Sequence, residues 1–217
     1  MKFIFYFIFY FFFFASALSV SAQINDKPVK LVHYVLDSFT NGTVKTKSGE
    51  VHSQLLNYNL VTQEMIFEQG GKYLAIAYPQ EIEMVLINER KFVPVNNAFY
   101  EWLGGSTFPL FVEYTCTIKE QGTQTGFGTT HTTASTSFKS LIKDGAAYRL
   151  QLPDEFQVIP EFSYYIRKKR QYYKVNNELQ ITRLFPDKKQ IIKDWIKNNH
   201  TNFSRPEELV LLVEQIQ

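Results

Sequence analysis

Residues Leu110 to Lys119 read Leu-Phe-Val-Glu-Tyr-Thr-Cys-Thr-Ile-Lys. Leu110, Val112, Tyr114, Cys116 and Ile118 share one parity; Phe111, Glu113, Thr115, Thr117 and Lys119 share the other. Successive side chains of a strand point to opposite faces, so a mostly apolar set facing a mostly polar set predicts a half-buried antiparallel strand. Short runs of the same kind recur at intervals of about 8–12 residues, the rhythm of an all-β region.

Upstream, Glu50 to Leu56, Glu64 to Glu68, Lys72 to Tyr78, Glu83 to Ile87, Arg90 to Val95 and Asn97 to Leu103 read as strands. Ser48-Gly49, Gly70-Gly71 and Asn88-Glu89 punctuate them, and Asn41-Gly42 gives a further turn signal because both residues tolerate positive φ. Lys30 to Phe39 has mixed character and is read as a strand. Pro94 assigns its run to an edge or a bulge, because proline cannot donate to a ladder. Downstream, Ala147 to Leu152 alternates as a strand. Phe162 to Lys168 and Tyr172 to Val175 form a final hairpin with basic residues at its turn.

The period changes at Asn177. Leu179 to Phe185 reads as a short helix stopped by Pro186. Asp187 to Asn199 reads as a helix capped by Asp187, with Ile191, Ile192, Trp195 and Ile196 on one face. Ser204-Arg205-Pro206-Glu207 reads as a capping box opening a last helix through Leu209, Leu212 and Ile216. Strands followed by segregated helices predict an α+β fold: an antiparallel β-meander, open or barrel-like, with two or three C-terminal helices.

The first 22 residues carry a different signal. Lys2, the apolar run Phe3 to Ala15 and the small residues around Val20-Ser21-Ala22 form a secretory leader cleaved before Gln23. The expected organisation is therefore a signal peptide over 1–22, a β domain over 23–176 and a helical segment over 177–217 packed on it. No later run reaches the ~20 apolar residues of a spanning helix. With Cys116 alone, no intramolecular disulfide forms, and its parity places it in the core. The charge is uneven: Gln23 to Phe162 holds 11 lysines and arginines against 15 acids, whereas Ser163 to Gln217 holds 11 against six.

Chemistry-bearing motifs are sparse. His33, His52, His131 and His200 lack metal-ligand spacing, and there is no His-Glu-x-x-His, Gly-x-Ser-x-Gly or phosphate-binding glycine loop. No catalytic residue, metal site or cofactor is assigned. Glu81 and Glu83 share a parity and offer a carboxylate pair, the arrangement of acid–base chemistry. Tyr100 and Trp102 share a strand face and offer a stacking platform for a sugar or a peptide. Arg167, Lys168, Lys169 and Arg170 form a basic cluster suited to an anionic surface. Gln121 to Ser140 contains seven threonines, three serines and three glycines. A flexible loop, a pair of edge strands and a recognition loop all fit that composition.

Several phrases together resemble a family of uncharacterised exported proteins of Bacteroidetes-type bacteria. They are Leu56-Asn57-Tyr58-Asn59 before Glu64-Met65-Ile66-Phe67, Arg90-Lys91-Phe92-Val93-Pro94, and the Thr/Ser-rich stretch. The tail completes the resemblance, from Phe185-Pro186-Asp187-Lys188-Lys189 through Trp195-Ile196-Lys197-Asn198-Asn199 to Phe203. The resemblance implies export and a β-rich fold and transfers no catalytic residue.

The sequence is thus expected to encode an exported, periplasmic or surface-associated protein of the bacterial envelope. Its expected role is non-enzymatic binding or structure, with an envelope protein or polysaccharide as partner and no nucleic acid. The alternative is a small hydrolase of envelope polymers, marked by a cleft that gathers Glu81, Glu83 or a histidine.

Overall fold

The computed structural model describes residues 31–120, 146–153 and 156–217. Residues 1–22, expected to be a leader, and the stretch Gln121 to Ser140 lie outside the described residues. The described residues form ten strands: β1 (Thr40–Thr46), β2 (Val51–Asn59), β3 (Glu64–Gln69), β4 (Lys72–Ala75), β5 (Ile82–Ile87), β6 (Arg90–Val95), β7 (Ala98–Gly104), β8 (Leu110–Glu120), β9 (Phe156–Lys168) and β10 (Gln171–Lys174). Three helices follow: α1 (Glu178–Leu184), α2 (Lys189–Asn199) and α3 (Pro206–Gln215). The strands form one antiparallel sheet in the order β10-β9-β8-β7-β6-β5-β1-β2-β3-β4, so two edges remain and the sheet is open. The α+β meander with C-terminal helices is the observed architecture.

The sheet curls, and its concave face is covered in two ways. Over β1 to β7 the sheet covers itself: Leu56, Tyr58, Met65, Val85, Ile87, Phe92 and Phe99 form one buried cluster. Tyr58 of β2 stacks on Phe92 of β6, with ring centroids 6.2 Å apart. Over β8 and β9 the helices supply the cover. Leu110, Val112, Tyr164 and Ile166 pack with Ile181, Phe185, Ile192, Leu209, Leu212, Val213 and Ile216. Tyr114 touches both clusters and joins them. Burying each such side chain stabilises the fold by ~1.5–3 kcal/mol, which gives the apolar helix stripes a reason to dock on the sheet.

Several local expectations are corrected. Asn41-Gly42 is not a turn; it lies inside β1, where Gly42 pairs with Ile87. A Cβ on Gly42 would sit 2.5 Å from the Leu86 carbonyl oxygen, so the glycine serves close strand approach. The Lys30 to Phe39 segment, where described, forms turns with a single bridge from Tyr34 to Asn59. Its backbone is held by Asn57, whose amide accepts from Leu36 N at 3.0 Å and donates to Leu36 O at 2.8 Å. β6 is central and not an edge. Its ladder with β5 ends at the Val85–Phe92 pair, two residues before Pro94, so the missing donor is not needed there.

Ala147 to Leu152 is not a strand. A 3-10 turn at Ala146–Tyr148 docks on β2 and β3, with Asn59 Nδ2 donating to Ala147 O at 2.7 Å and the Tyr148 hydroxyl to Glu64 at 2.8 Å. His33 Nε2 lies 2.9 Å from Arg149 O in the same clasp. Asp187 does not cap α2; it sits in a 3-10 turn over Pro186–Lys188, and Lys188 holds the cap position without a side-chain bond. The capping box at Ser204 is also absent, since Arg205 precedes α3 and Glu208 instead accepts from Asn202 N at 2.6 Å. On α2, Ile192 is buried while Ile191 is exposed, because the helix presents a narrower face than the apolar stripe predicts.

Candidate functional site

Strand parity sorts the candidate residues onto two faces. On β7, Phe99 and Glu101 point into the curl, and Tyr100 and Trp102 point to the convex face. The register then aligns Lys91, Trp102, Phe111, Tyr165 and Lys174 in one lateral row across β6 to β10. With strands ~4.8 Å apart, that row spans roughly 19 Å and carries a cation at each end of three aromatics.

Tyr100 is not a platform. It is only 8% exposed, packed 5.1 Å from the Tyr165 ring and 5.7 Å from Tyr172. Its hydroxyl donates to Glu113 at 3.1 Å, and Tyr165 donates to the same carboxylate at 2.9 Å. Burial, then the Glu113 charge, holds the Tyr100 hydroxyl protonated far above the usual phenol range. Trp102, by contrast, is 41% exposed and walls a hollow of about 270 Å³. Lys91, Val93, Ser106, Phe111 and Arg167 line the same hollow. Lys91 Nζ lies 5.2 Å from the Trp102 ring centroid and the Arg167 guanidinium 5.5 Å from that of Phe111. Trp102 and Arg167, singled out separately in the sequence, are therefore brought together.

The loop beyond Trp102 is fixed. Gly105 has φ +82, and a Cβ there would lie 2.5 Å from Phe108 O, so only glycine suits the turn. The Gln217 side-chain oxygen accepts from Ser106 N at 2.9 Å, Ser106 Oγ at 2.6 Å and Thr107 N at 3.0 Å.

The rest of the basic cluster crosses to the other side of the hairpin. Lys168 and Lys169 line a groove of about 460 Å³ with Tyr173, Lys174, Gln180, Arg183 and Leu184. Lys168 Nζ donates to Leu184 O at 2.9 Å and sits 4.5 Å from the Phe185 ring centroid. Lys169 and Arg170 form the two-residue turn of the β9–β10 hairpin, with φ +51 and +65. A left-handed backbone costs roughly 1–2 kcal/mol for a non-glycine residue, and Asn-Gly would avoid most of it. Two cations stand where glycine is favoured. Lys91, Lys174 and Arg183 were missed in the sequence, since only the register and the docking of α1 bring them beside Arg167 to Arg170. Among the described residues, no ion pair joins any of these seven cations to a carboxylate.

A third concavity opens at the mouth of the curl. Val44, Phe67, Ile76, Ala77, Tyr78 and Ile82 line a mainly apolar cleft of about 280 Å³, with Thr46, His52, Gln54 and Glu81 among its polar groups. The Glu81–Glu83 pair is not assembled there: Glu83 is held by Lys45 at 2.9 Å. His52 Nε2 lies 3.5 Å from Glu50. Thr46 Oγ1 is engaged by Ser48 Oγ at 2.8 Å. Cys116 lies elsewhere, half-buried beside Ile118 and Val158. Burial, with the Glu161 charge behind it, pushes its thiol up to about 11, the reverse of an activated nucleophile.

Among the described residues there is no group of three histidine, cysteine, aspartate or glutamate side chains placed to hold a metal ion. No helix among them is long and apolar enough to cross a membrane. No family model matches the sequence, and no curated protein or solved structure matches the chain.

Proposed function

We propose that this chain is an exported, non-enzymatic binding protein of a bacterial envelope. It engages an envelope component, protein or polysaccharide, through the Trp102 hollow on β6 to β9 and the β9–β10 hairpin that borders it. The observation that carries the reading is the pair of hollows on either side of one hairpin, lined by cations without carboxylate partners among the described residues. Cations kept free of local carboxylates leave their field available to an external anion. The residues that carry it are Trp102, Arg167, Lys168, Lys169 and Arg170, with Lys91, Lys174 and Arg183. The leader supports export to the periplasm or the outer surface, and such a compartment argues against nucleic acid as partner.

The test is co-sedimentation of the mature protein with purified envelope fractions at low and high salt. Retention at low salt, released by high salt and weakened by Lys169→Glu/Arg170→Glu, is expected. Absence of retention from every fraction refutes the reading. Export is checked by intact mass, which should begin at Gln23.

One observation favours a second reading, a small hydrolase of envelope polymers: His52 and Glu81 line the same cleft. Release of soluble fragments from envelope polymers, lost in His52→Ala, would move the assignment to that reading.

A further inference from the structure

We propose that the Trp102 hollow is a subsite for an acidic saccharide, whose sugar ring stacks on Trp102 and whose anionic group pairs with Lys91 and Arg167. Further acidic units of the chain run past the hairpin tip into the Lys168–Arg183 groove. This inference rests on the binding-protein reading and names the class of its partner.

Three features of the hollow select a saccharide. First, it lies on β6 to β9, inside the sheet, where neighbouring strands already pair on both sides. A peptide adding as a strand needs free backbone groups, and those occur only at the sheet edges. Recognition here is left to side chains. Second, the surface combines an aromatic wall with polar groups: Trp102, the Lys91 ammonium and the Arg167 guanidinium as donors, and Ser106 Oγ, whose own proton goes to Gln217, as an acceptor. That set complements a ring with an apolar face, hydroxyls and a carboxylate or phosphate. Third, the apolar side chains do not protrude as a membrane anchor would. Phe111 is 2% exposed beneath Arg167, which leaves Trp102 as the only large aromatic standing clear among the hollow's lining residues. Interfacial insertion requires a broader apolar face.

The polymeric character follows from continuity. Arg167 belongs to the hollow, Lys169 and Arg170 to the tip, and Lys168, Lys174 and Arg183 to the groove behind it. A monovalent sugar acid would use the first of these alone. A chain with repeated charge uses all three, and linked subsites raise the overall affinity.

The experiment is titration of the mature protein with polygalacturonate (carboxylate) and a phosphomannan (phosphate), beside neutral dextran, inorganic polyphosphate and vesicles containing phosphatidylglycerol. Salt-sensitive binding to at least one acidic polysaccharide is expected, with none to dextran. Trp102→Ala should weaken it roughly tenfold and leave its salt dependence unchanged, while Trp102→Phe retains most of it. Lys91→Gln/Arg167→Gln should lower both affinity and salt dependence. Melting curves verify that the substitutions leave the fold intact. Wild-type affinity in Trp102→Ala overturns the assignment. So does polyphosphate binding that equals the polysaccharides and ignores Trp102, which is the signature of charge alone. Vesicle binding without polysaccharide binding identifies a membrane contact instead. If envelope fractions retain the protein while both acidic polysaccharides fail, the saccharide assignment falls and the binding-protein reading stands; if neither retains it, both fall.

Discussion

Removing Arg90 tests the account of how the two halves of the concave face are joined. Arg90 of β6 grips Glu101 of β7 in a bidentate pair at 2.8 and 2.7 Å and donates to the Tyr114 hydroxyl of β8 at 2.9 Å. Tyr114 in turn donates to Glu101, so three adjacent strands share one network. The Glu101 side chain is only 9% exposed. Arg90→Met therefore leaves a carboxylate out of water with a single neutral partner. Breaking a buried pair from one side costs ~3–5 kcal/mol, whereas replacing both partners by apolar groups is close to neutral. For a domain of this size the single change should lower the melting temperature by roughly 6–20 °C. Arg90→Met/Glu101→Met should recover most of that loss. Lys45→Met, at an ion pair 37% and 46% exposed, is the control and should cost under ~1 kcal/mol. Urea unfolding of the three variants and wild type, followed by tryptophan fluorescence, gives the comparison. If Arg90→Met costs no more than Lys45→Met, or the double variant is less stable than the single, the network does not hold the strands as argued.

Three other outcomes follow from the packing and the titrating groups. Leu212→Ala empties a fully buried site beneath α3 and should cost ~2–5 kcal/mol in the same assay; a near-zero change would mean the helices are not docked on β8 and β9. Gly42→Ala drives a Cβ into the Leu86 carbonyl and the Leu56 side chain, and should cost ~1–3 kcal/mol by forcing β1 and β5 apart. Stability should decline in alkali. Burial raises the Cys116 thiol from 9.0 to about 11 and the Tyr34 and Tyr148 hydroxyls from 10.0 to about 12. Their contribution is complete below the unfolded values and is lost as pH rises through the folded ones. Melting temperature measured from pH 8 to 12 should fall accordingly, and Cys116→Val should remove the part that begins near pH 9. Thiolate absorbance appearing at pH 9 in the native protein would contradict the burial argument.

The sequence by itself determined most of the strands, the hairpins at Ser48-Gly49, Gly70-Gly71 and Lys169-Arg170, and the change to helices at Asn177. Those features are local: alternation, turn residues and a helical period act within a few residues of one another. Lys30 to Phe39 and Ala147 to Leu152, read as strands, are turns where described. Asn41-Gly42 shows where local reasoning stops. As a dipeptide it is a turn, yet in the sheet the glycine is required by the Leu86 carbonyl of another strand, 44 positions away. The caps at Asp187 and Ser204 failed for a related reason: the helices begin at Lys189 and Pro206, and the Ser204 N–H that Glu207 would have accepted in a capping box donates to Asn202 Oδ1 instead. For the site, the sequence picked out Trp102 and Arg167 to Arg170 as residue types and as a charge run. It had no means of pairing Trp102 with Lys91 and Phe111, of withdrawing Tyr100 beneath Tyr165 and Tyr172, or of turning Lys168 toward Arg183. Register across five strands and the docking of α1 decide those placements, and both depend on which apolar faces must be buried together.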